Sequence, residues 1–367
     1  MRKLAAVSSA LFVSLALIGC TPQAAPTPSA SPTQTQTQEP EPEPVYIAAP
    51  LTGVSYLEGS NPYLELPAVS AKIDNTSPGR PQLELNRADV VYVTRVEGGM
   101  TRLLAVWHSD MPEAIGPVRS VRPVDAAVAH PYGGVFIYSG GQAPFKNAAR
   151  DTGLVMGDED TFNGKDLYYR EGSRVAPWNL FFSAQKIQTT YSDQAAPQNF
   201  FEFDPVPSAV SLGQAMTGIS VKYPGTHSEW ALGEASFPWA ASSEPAWMRS
   251  QDGSVHSEFP SGDQVRAKNV VVLEVEHDNS FIDPKYGAIP KAMLVDNSGI
   301  AHIFSDGFYL KAKWSKASSN SVIVLTTEAG DPVKLAIGNT WVEMQDVAKS
   351  KLTITGLPEP EAETTDE

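Results

Sequence analysis

A single cysteine, Cys20, directly follows an apolar segment, and it limits how the rest of the chain can be held together. One cysteine excludes an internal disulfide, a cysteine-based zinc site and CxxC redox chemistry, so any folded body must rest on an apolar core. The position of the cysteine carries a second reading. Arg2 and Lys3 form a short basic start. Leu4 to Ile18 is apolar or small apart from Ser8, Ser9 and Ser14, and Leu17-Ile18-Gly19-Cys20 closes the segment. That is short for a permanent membrane span, which takes about 20 apolar residues. A small residue before a lone cysteine at such a place is the pattern of a bacterial lipobox. Residues 1–19 are therefore expected to be a lipoprotein signal peptide. Cys20 is expected to be lipidated, with diacylglyceryl and palmitate-like chains anchoring the protein in the cell membrane on its extracytoplasmic face.

Residues 20–44 are low in complexity, rich in Pro, Thr and Gln and ending in Glu-Pro repeats. Such a segment has no core to bury and reads as a disordered linker. In polyproline II at ~3.1 Å per residue it reaches roughly 70 Å. Residues 357–367 read as a disordered acidic tail with five acids. The net charge is −15; without the two bases of the signal, the three acids of the linker and the five of the tail, the body carries −9. That sign disfavours phosphate backbones, so no nucleic-acid partner is expected.

The body reads as an α+β protein, with a mixed α/β N-terminal domain over 45–200 and a β-rich C-terminal domain over 210–356. In the first, Ala68 to Asp74 alternates like a strand. Ala88 to Val96 and Thr101 to His108 are β-branched and aromatic runs joined by Glu97-Gly98-Gly99-Met100, a hairpin signature. Pro123 to His130, Phe145 to Arg150 and Ser183 to Tyr191 read as helices, with Ser183 as an N-cap. Ser192 to Ser211 reads as the boundary. Beyond it, nine short strand candidates from Ile219 to Ile337 are separated by turns such as Asp252-Gly253 and Asp306-Gly307.

Several short motifs stand in order along this body. They are Ala71-Lys-Ile-Asp-Asn75, Arg80-Pro-Gln82, Ala88-Asp-Val-Val-Tyr92, Val96-Glu-Gly-Gly-Met-Thr-Arg102 and Gly116-Pro-Val-Arg-Ser-Val-Arg122. Tyr138-Ser-Gly-Gly141, Arg174-Val-Ala-Pro177 and Gly338-Asn-Thr-Trp341 follow. As an ordered set over Leu51 to Gln345 they resemble the YerB-like lipoproteins, a bacterial family of two consecutive domains of unknown function. The resemblance implies a surface lipoprotein with a two-part extracytoplasmic body and no established reaction.

The residues themselves point to an arginine-rich centre. Between Ile73 and Phe145 every basic residue is arginine, which offers a rigid fork for carboxylates and phosphates. Arg80, Arg102, Arg119 and Arg122, with Ser139, Gly140 and Gly141 at a strand end, form a candidate anion- or partner-binding set. Asp74 and Glu97 are their candidate acidic partners; paired with the arginines, they would make structural bridges instead. Ser183-Ala-Gln-Lys186 matches Ser-x-x-Lys but lacks its Lys-Thr-Gly and Ser-Asp-Asn companions. The six histidines show no metal spacing, and Asp158 to Gly164 fails the register of a calcium loop. No metal, cofactor or catalytic constellation is expected.

The function these features favour is a membrane-anchored, non-catalytic binding or regulatory lipoprotein meeting an envelope protein or a cell-wall component. Alternatives are a peptidoglycan-acting enzyme using carboxylates, and a transporter's solute-binding lipoprotein.

Overall fold

The computed structural model describes residues 43–356. The signal peptide, Cys20, all of the linker before Glu43 and the acidic tail lie outside the described residues. In chain order, the strands that place the site are β1 (Val69–Asp74), β2 (Val90–Arg95), β3 (Thr101–Trp107), β4 (Val135–Ile137) and β5 (Val155–Gly157). They continue with β6 (Gly218–Lys222), β7 (His227–Ala235), β8 (Glu244–Gln251) and β9 (Asn269–Val275). The last are β10 (Asn297–Ser305), β11 (Phe308–Lys316), β12 (Thr340–Asp346) and β13 (Lys351–Thr355). The helices are short: α1 (Asp125–Ala129), α2 (Ala143–Arg150), α3 (Ala184–Thr190) and α4 (Ser208–Leu212).

One sheet runs through both halves, in the order β11-β10-β9-β12-β2-β3-β1-β4-β5, with Gln214–Ala215 outside β11. The expected boundary therefore does not separate two sheets. β12, from the second half, pairs in parallel with β2 of the first, Thr340 opposite Val90. The boundary segment itself is packed: Phe200 stacks on Tyr132 with centroids 4.4 Å apart. Glu202–Phe203 pairs with Lys334–Leu335. A second, antiparallel sheet ordered β8-β7-β6-β13 lies entirely in the second half.

Both faces of the main sheet are covered. On one, Val91, Val93, Leu103, Ala105 and Trp341 pack against Trp230, Trp247 and Val221 of the second sheet and against Ile187 of α3. On the other, Tyr92, Leu104, Val342 and Met344 meet Val128 of α1 and Phe145 of α2. This burial explains a departure from the alternating pattern of β1. Ser70, Lys72 and Asp74 occupy its polar face, yet all three are buried, so that face looks into protein rather than water.

The turn chemistry matches the sequence reading. The β2–β3 hairpin pairs Arg95 with Thr101 across Glu97–Gly99. Asp252 and Gly253 (φ 54° and 75°), and Asp306 and Gly307 (φ 50° and 80°), take the left-handed conformations of a tight hairpin turn. Two expectations shift. Ser183 precedes α3 but makes no capping bond, and Lys186 pairs with Asp166 at 2.8 Å. The expected strand at Ala292–Val295 is only the two-residue pair Lys291–Ala292.

Candidate functional site

β9, β12, β2, β1, β4 and β5 all run in the same direction, so their carboxyl ends share one edge of the main sheet. In open α/β sheets that edge is where ligands bind. β1 and β4 pair only over Val69–Ala71, and residues 117–121 then wedge in beside the end of β1, with the Arg119 N–H donating to Lys72 O at 2.8 Å. The wedge delivers Arg119 and Arg122 to the edge, where Asp74 ends β1 and Glu97 follows β2.

There the expected ionic residues meet one another. Arg122 donates from Nε to Glu97 Oε2 at 2.6 Å and from Nη2 to Glu97 Oε1. Arg102 donates to the same Oε1 at 3.2 Å. Burial opposes ionisation of Glu97, but the bond and charge of Arg122 and the charge of Arg102 outweigh it, so its carboxyl is held at about 2. Burial and the neighbouring Arg122 lower Arg102 to about 10. Arg119 Nε lies 2.7 Å from Asp74 Oδ2. Lys72, outside the expected arginine set, is fully buried and bonds Asp125 at 2.6 Å and Thr94 at 2.8 Å. Asp125, the first residue of α1, also accepts the Arg122 N–H at 2.6 Å. The anion at the start of this five-residue helix is thus the protein's own carboxylate. At the neighbouring strand ends Arg95 Nη1 meets Asp346 at 2.8 Å.

Ser139, Gly140 and Gly141 lie against the wedge. Gly140 O accepts the Val121 N–H at 3.1 Å, and a Cβ on Gly141 would sit 2.5 Å from Val121 Cγ1. Ser139 Oγ donates to Glu159 at 2.8 Å. Asp158 closes its own turn by accepting from Thr161 N at 2.8 Å. Arg80 stands apart from the other arginines and pairs with Asp252 of the second half at 3.2 Å. Among the described residues no cluster of three or more His, Cys, Asp or Glu side chains is placed to hold a metal ion.

Asp74 joins this charged edge to an open cleft. Its Oδ1 accepts from Thr76 N and Oγ1, both at 2.6 Å, and Thr76 Oγ1 accepts from Trp178 Nε1 at 3.2 Å. Gly79 admits Asp74 here, since a Cβ at that position would lie 2.5 Å from Oδ1. The cleft, about 930 Å³, is lined by Arg80, Tyr169, Arg174, Trp178, Phe181 and Phe259 among others. Tyr169 and Phe181 stack across the hairpin Tyr168–Arg170/Leu180–Phe182, with centroids 5.7 Å apart. Arg174 lies with its guanidinium carbon 5.4 Å from the Phe181 ring centre. It donates to Pro81 O at 2.6 Å and to Gly79 O at 3.4 Å. Phe259 reaches the cleft from the second half by pairing with Leu83. Of these cleft residues the sequence singles out only Arg80 as a site candidate. Arg174 was visible solely as part of a motif, and the aromatic wall gave no periodic signal.

Two family models match the chain: the N-terminal domain of a protein of unknown function, DUF3048, over residues 51–198, and the C-terminal domain of the same family over 226–342. A protein described as "putative lipoprotein YerB" from Bacillus subtilis (strain 168) is 26% identical over 309 residues, covering 81% of this chain and 86% of the relative. The crystal structure of YerB protein from Bacillus subtilis superposes with a TM-score of 0.68 at 23% identity, over 84% of this chain and 99% of that one. In those terms, five of the six cleft residues named come from the first matched domain and Phe259 from the second.

Proposed function

This chain belongs to the DUF3048 family, and from that premise we propose that it is a lipid-anchored, non-catalytic binding lipoprotein of the extracytoplasmic membrane face. Cys20 holds it to the membrane, the Pro-rich linker spaces the body from the surface, and the body takes up an envelope protein or a cell-wall component. The observation that carries the reading is the cleft at the seam of the two matched domains. Concave sites favour such junctions, and this one is walled by aromatic rings with a few polar groups. The peptidoglycan enzyme is the weaker reading because its carboxylates are already committed. Glu97, held at about 2 between two arginines, carries no proton to donate near neutral pH. A two-lobed solute binder is weaker because one sheet passes through both halves.

The test is photocrosslinking in intact cells of the full-length lipoprotein. A photoreactive residue replaces Val175, 76% exposed at the cleft, or Leu212, 64% exposed on α4 beside β11. A defined adduct from position 175 and none from 212 is the expected result. Equal labelling at both positions, or none at 175, refutes the reading.

A further inference from the structure

We infer that the cleft is a binding site for an anionic saccharide, with Arg174 taking its carboxylate or phosphate and the rings of Tyr169 and Phe259 taking its sugar faces. This rests on the binding reading above and names the chemical class of the ligand.

Arg174 differs from the arginines of the charged edge. Arg95, Arg102, Arg119 and Arg122 each lie within salt-bridge distance of a carboxylate, whereas the two bonds of Arg174 go to backbone carbonyls. Carbonyls orient a guanidinium without neutralising it. The acid acting on its charge is Glu171, which lines the same cleft but forms no ion pair with it; one oxygen of that carboxylate accepts instead from the N–H and hydroxyl of Ser173 at 3.0 and 3.1 Å. Arg80 on the same wall pairs with Asp252, so the cleft guanidinium left without a directly paired carboxylate is that of Arg174. Burial disfavours that charge and pushes the arginine below its usual range, which an arriving anion would relieve.

The apolar part of the wall narrows the ligand further. Tyr169 is 41% and Phe259 51% exposed, so part of each ring stays open to solvent rather than spent in the core, although Tyr169 also stacks on Phe181. A purely apolar ligand would leave the guanidinium unpaired in a drier cleft, and a cation would be repelled by it. A molecule with a flat aliphatic face and a fixed anion satisfies both parts of the wall, and an acidic sugar unit has that form. The cleft is open to the surface, so the unit can belong to a longer chain.

The experiment uses the full-length lipoprotein in lipid nanodiscs. N-acetylglucosamine 1-phosphate tests a phosphate source, a muramic-acid disaccharide tests a carboxylate source, and fully N-acetylated chitotetraose is the neutral control. Binding of at least one anionic probe, with chitotetraose at least about 10-fold weaker, is expected. Arg174→Gln should weaken that binding by about 10- to 100-fold, the loss of one charge-assisted contact. Tyr169→Ala should weaken it as well while leaving Arg174 in place, which keeps the test decisive should Arg174→Gln unfold. Wild type binding neither anionic probe, binding chitotetraose equally, or folded Arg174→Gln binding like wild type overturns the inference. If the glycans fail while position 175 still crosslinks, the cleft serves a protein partner and only this inference falls. If position 175 does not crosslink, the binding reading falls too.

Discussion

Arg122 meets both carboxylate oxygens of Glu97, through Nε at 2.6 Å and through Nη2, while Arg102 shares the second oxygen. Two buried guanidiniums thus depend on one carboxylate. Glu97→Gln should destabilise the fold by about 3–5 kcal/mol near neutral pH, because it strands two buried cations. The pH dependence has a definite sign. The folded carboxyl sits at about 2 against an ordinary 4.5, so its contribution is fully present above about 4.5 and is lost as pH falls toward 2. Urea unfolding at pH 7, 4 and 2.5 should show the gap between wild type and variant shrinking with acidity. A gap independent of pH would contradict the ionic role.

Lys72 offers a sharper case of the same physics. Its ammonium is fully buried on β1 against Asp125 and Thr94, and burial pulls it below the usual lysine range. Lys72→Met removes the cation and leaves Asp125 buried, with only the Arg122 N–H as a described partner. A loss of about 3–5 kcal/mol is expected. Lys72→Met with Asp125→Asn should recover part of it, because the residual charge is gone. Denaturant midpoints at unchanged m-value are the measure.

Much of the main sheet was readable because its signals are local. Val90 to Val93 is β-branched and aromatic, and the Gly-Gly turn after it allows one pairing with the next run. The strand that fuses the two halves, β12, was not among the expected strands. Its inward-facing Glu343 breaks the apolar run, and burial becomes tolerable only through partners distant in sequence: Tyr223 donates to it at 2.8 Å and Trp230 at 3.1 Å. Without β12, nothing in the sequence joined the strands of the second half to the sheet of the first. The charged edge was partly legible, since Asp74 and Glu97 were named as partners for the arginines. Lys72 lies just outside the all-arginine stretch, and only its burial beside Asp125 ties it to the charged edge. The cleft was invisible because residues 78–83, 169–181 and 259 converge only in three dimensions.

Arg249 ties the second sheet to the first. It is fully buried, donates to Gln251 at 2.7 Å and Ser228 at 2.8 Å, and lies 4.0 Å from Glu343 of β12. Its Nη1 also meets His256 Nδ1 at 2.5 Å, so that nitrogen must be the unprotonated one and Nε2–H donates to Gln82 at 2.7 Å. Burial and the charge of Arg249 keep His256 far below its usual range, so it stays neutral. Arg249→Met should cost about 3–5 kcal/mol by leaving Glu343 without a cation. Hydrogen exchange should quicken in β6, β7 and β8 more than in β1 and β3. Uniform acceleration would mean that the two sheets do not separate around this residue.

The last prediction separates backbone strain from crowding at the wedge. Gly141 has φ of +141°, and a Cβ there would meet Val121 Cγ1 at 2.5 Å. Gly153 has φ of +78° with nothing within 4 Å of the same added atom. Gly153→Ala should therefore cost only the left-handed backbone penalty, about 1–2 kcal/mol. Gly141→Ala adds a collision with a buried side chain on the segment that carries Arg119 and Arg122, so its cost should exceed that of Gly153→Ala by about 1–3 kcal/mol. Adding Val121→Ala should return most of that excess, because the clashing methyl is gone, while the same change should rescue nothing in Gly153→Ala. Melting both glycine variants with and without Val121→Ala measures the coupling directly. Additive losses in the Gly141 pair would show that the glycine is required for its dihedral angle alone.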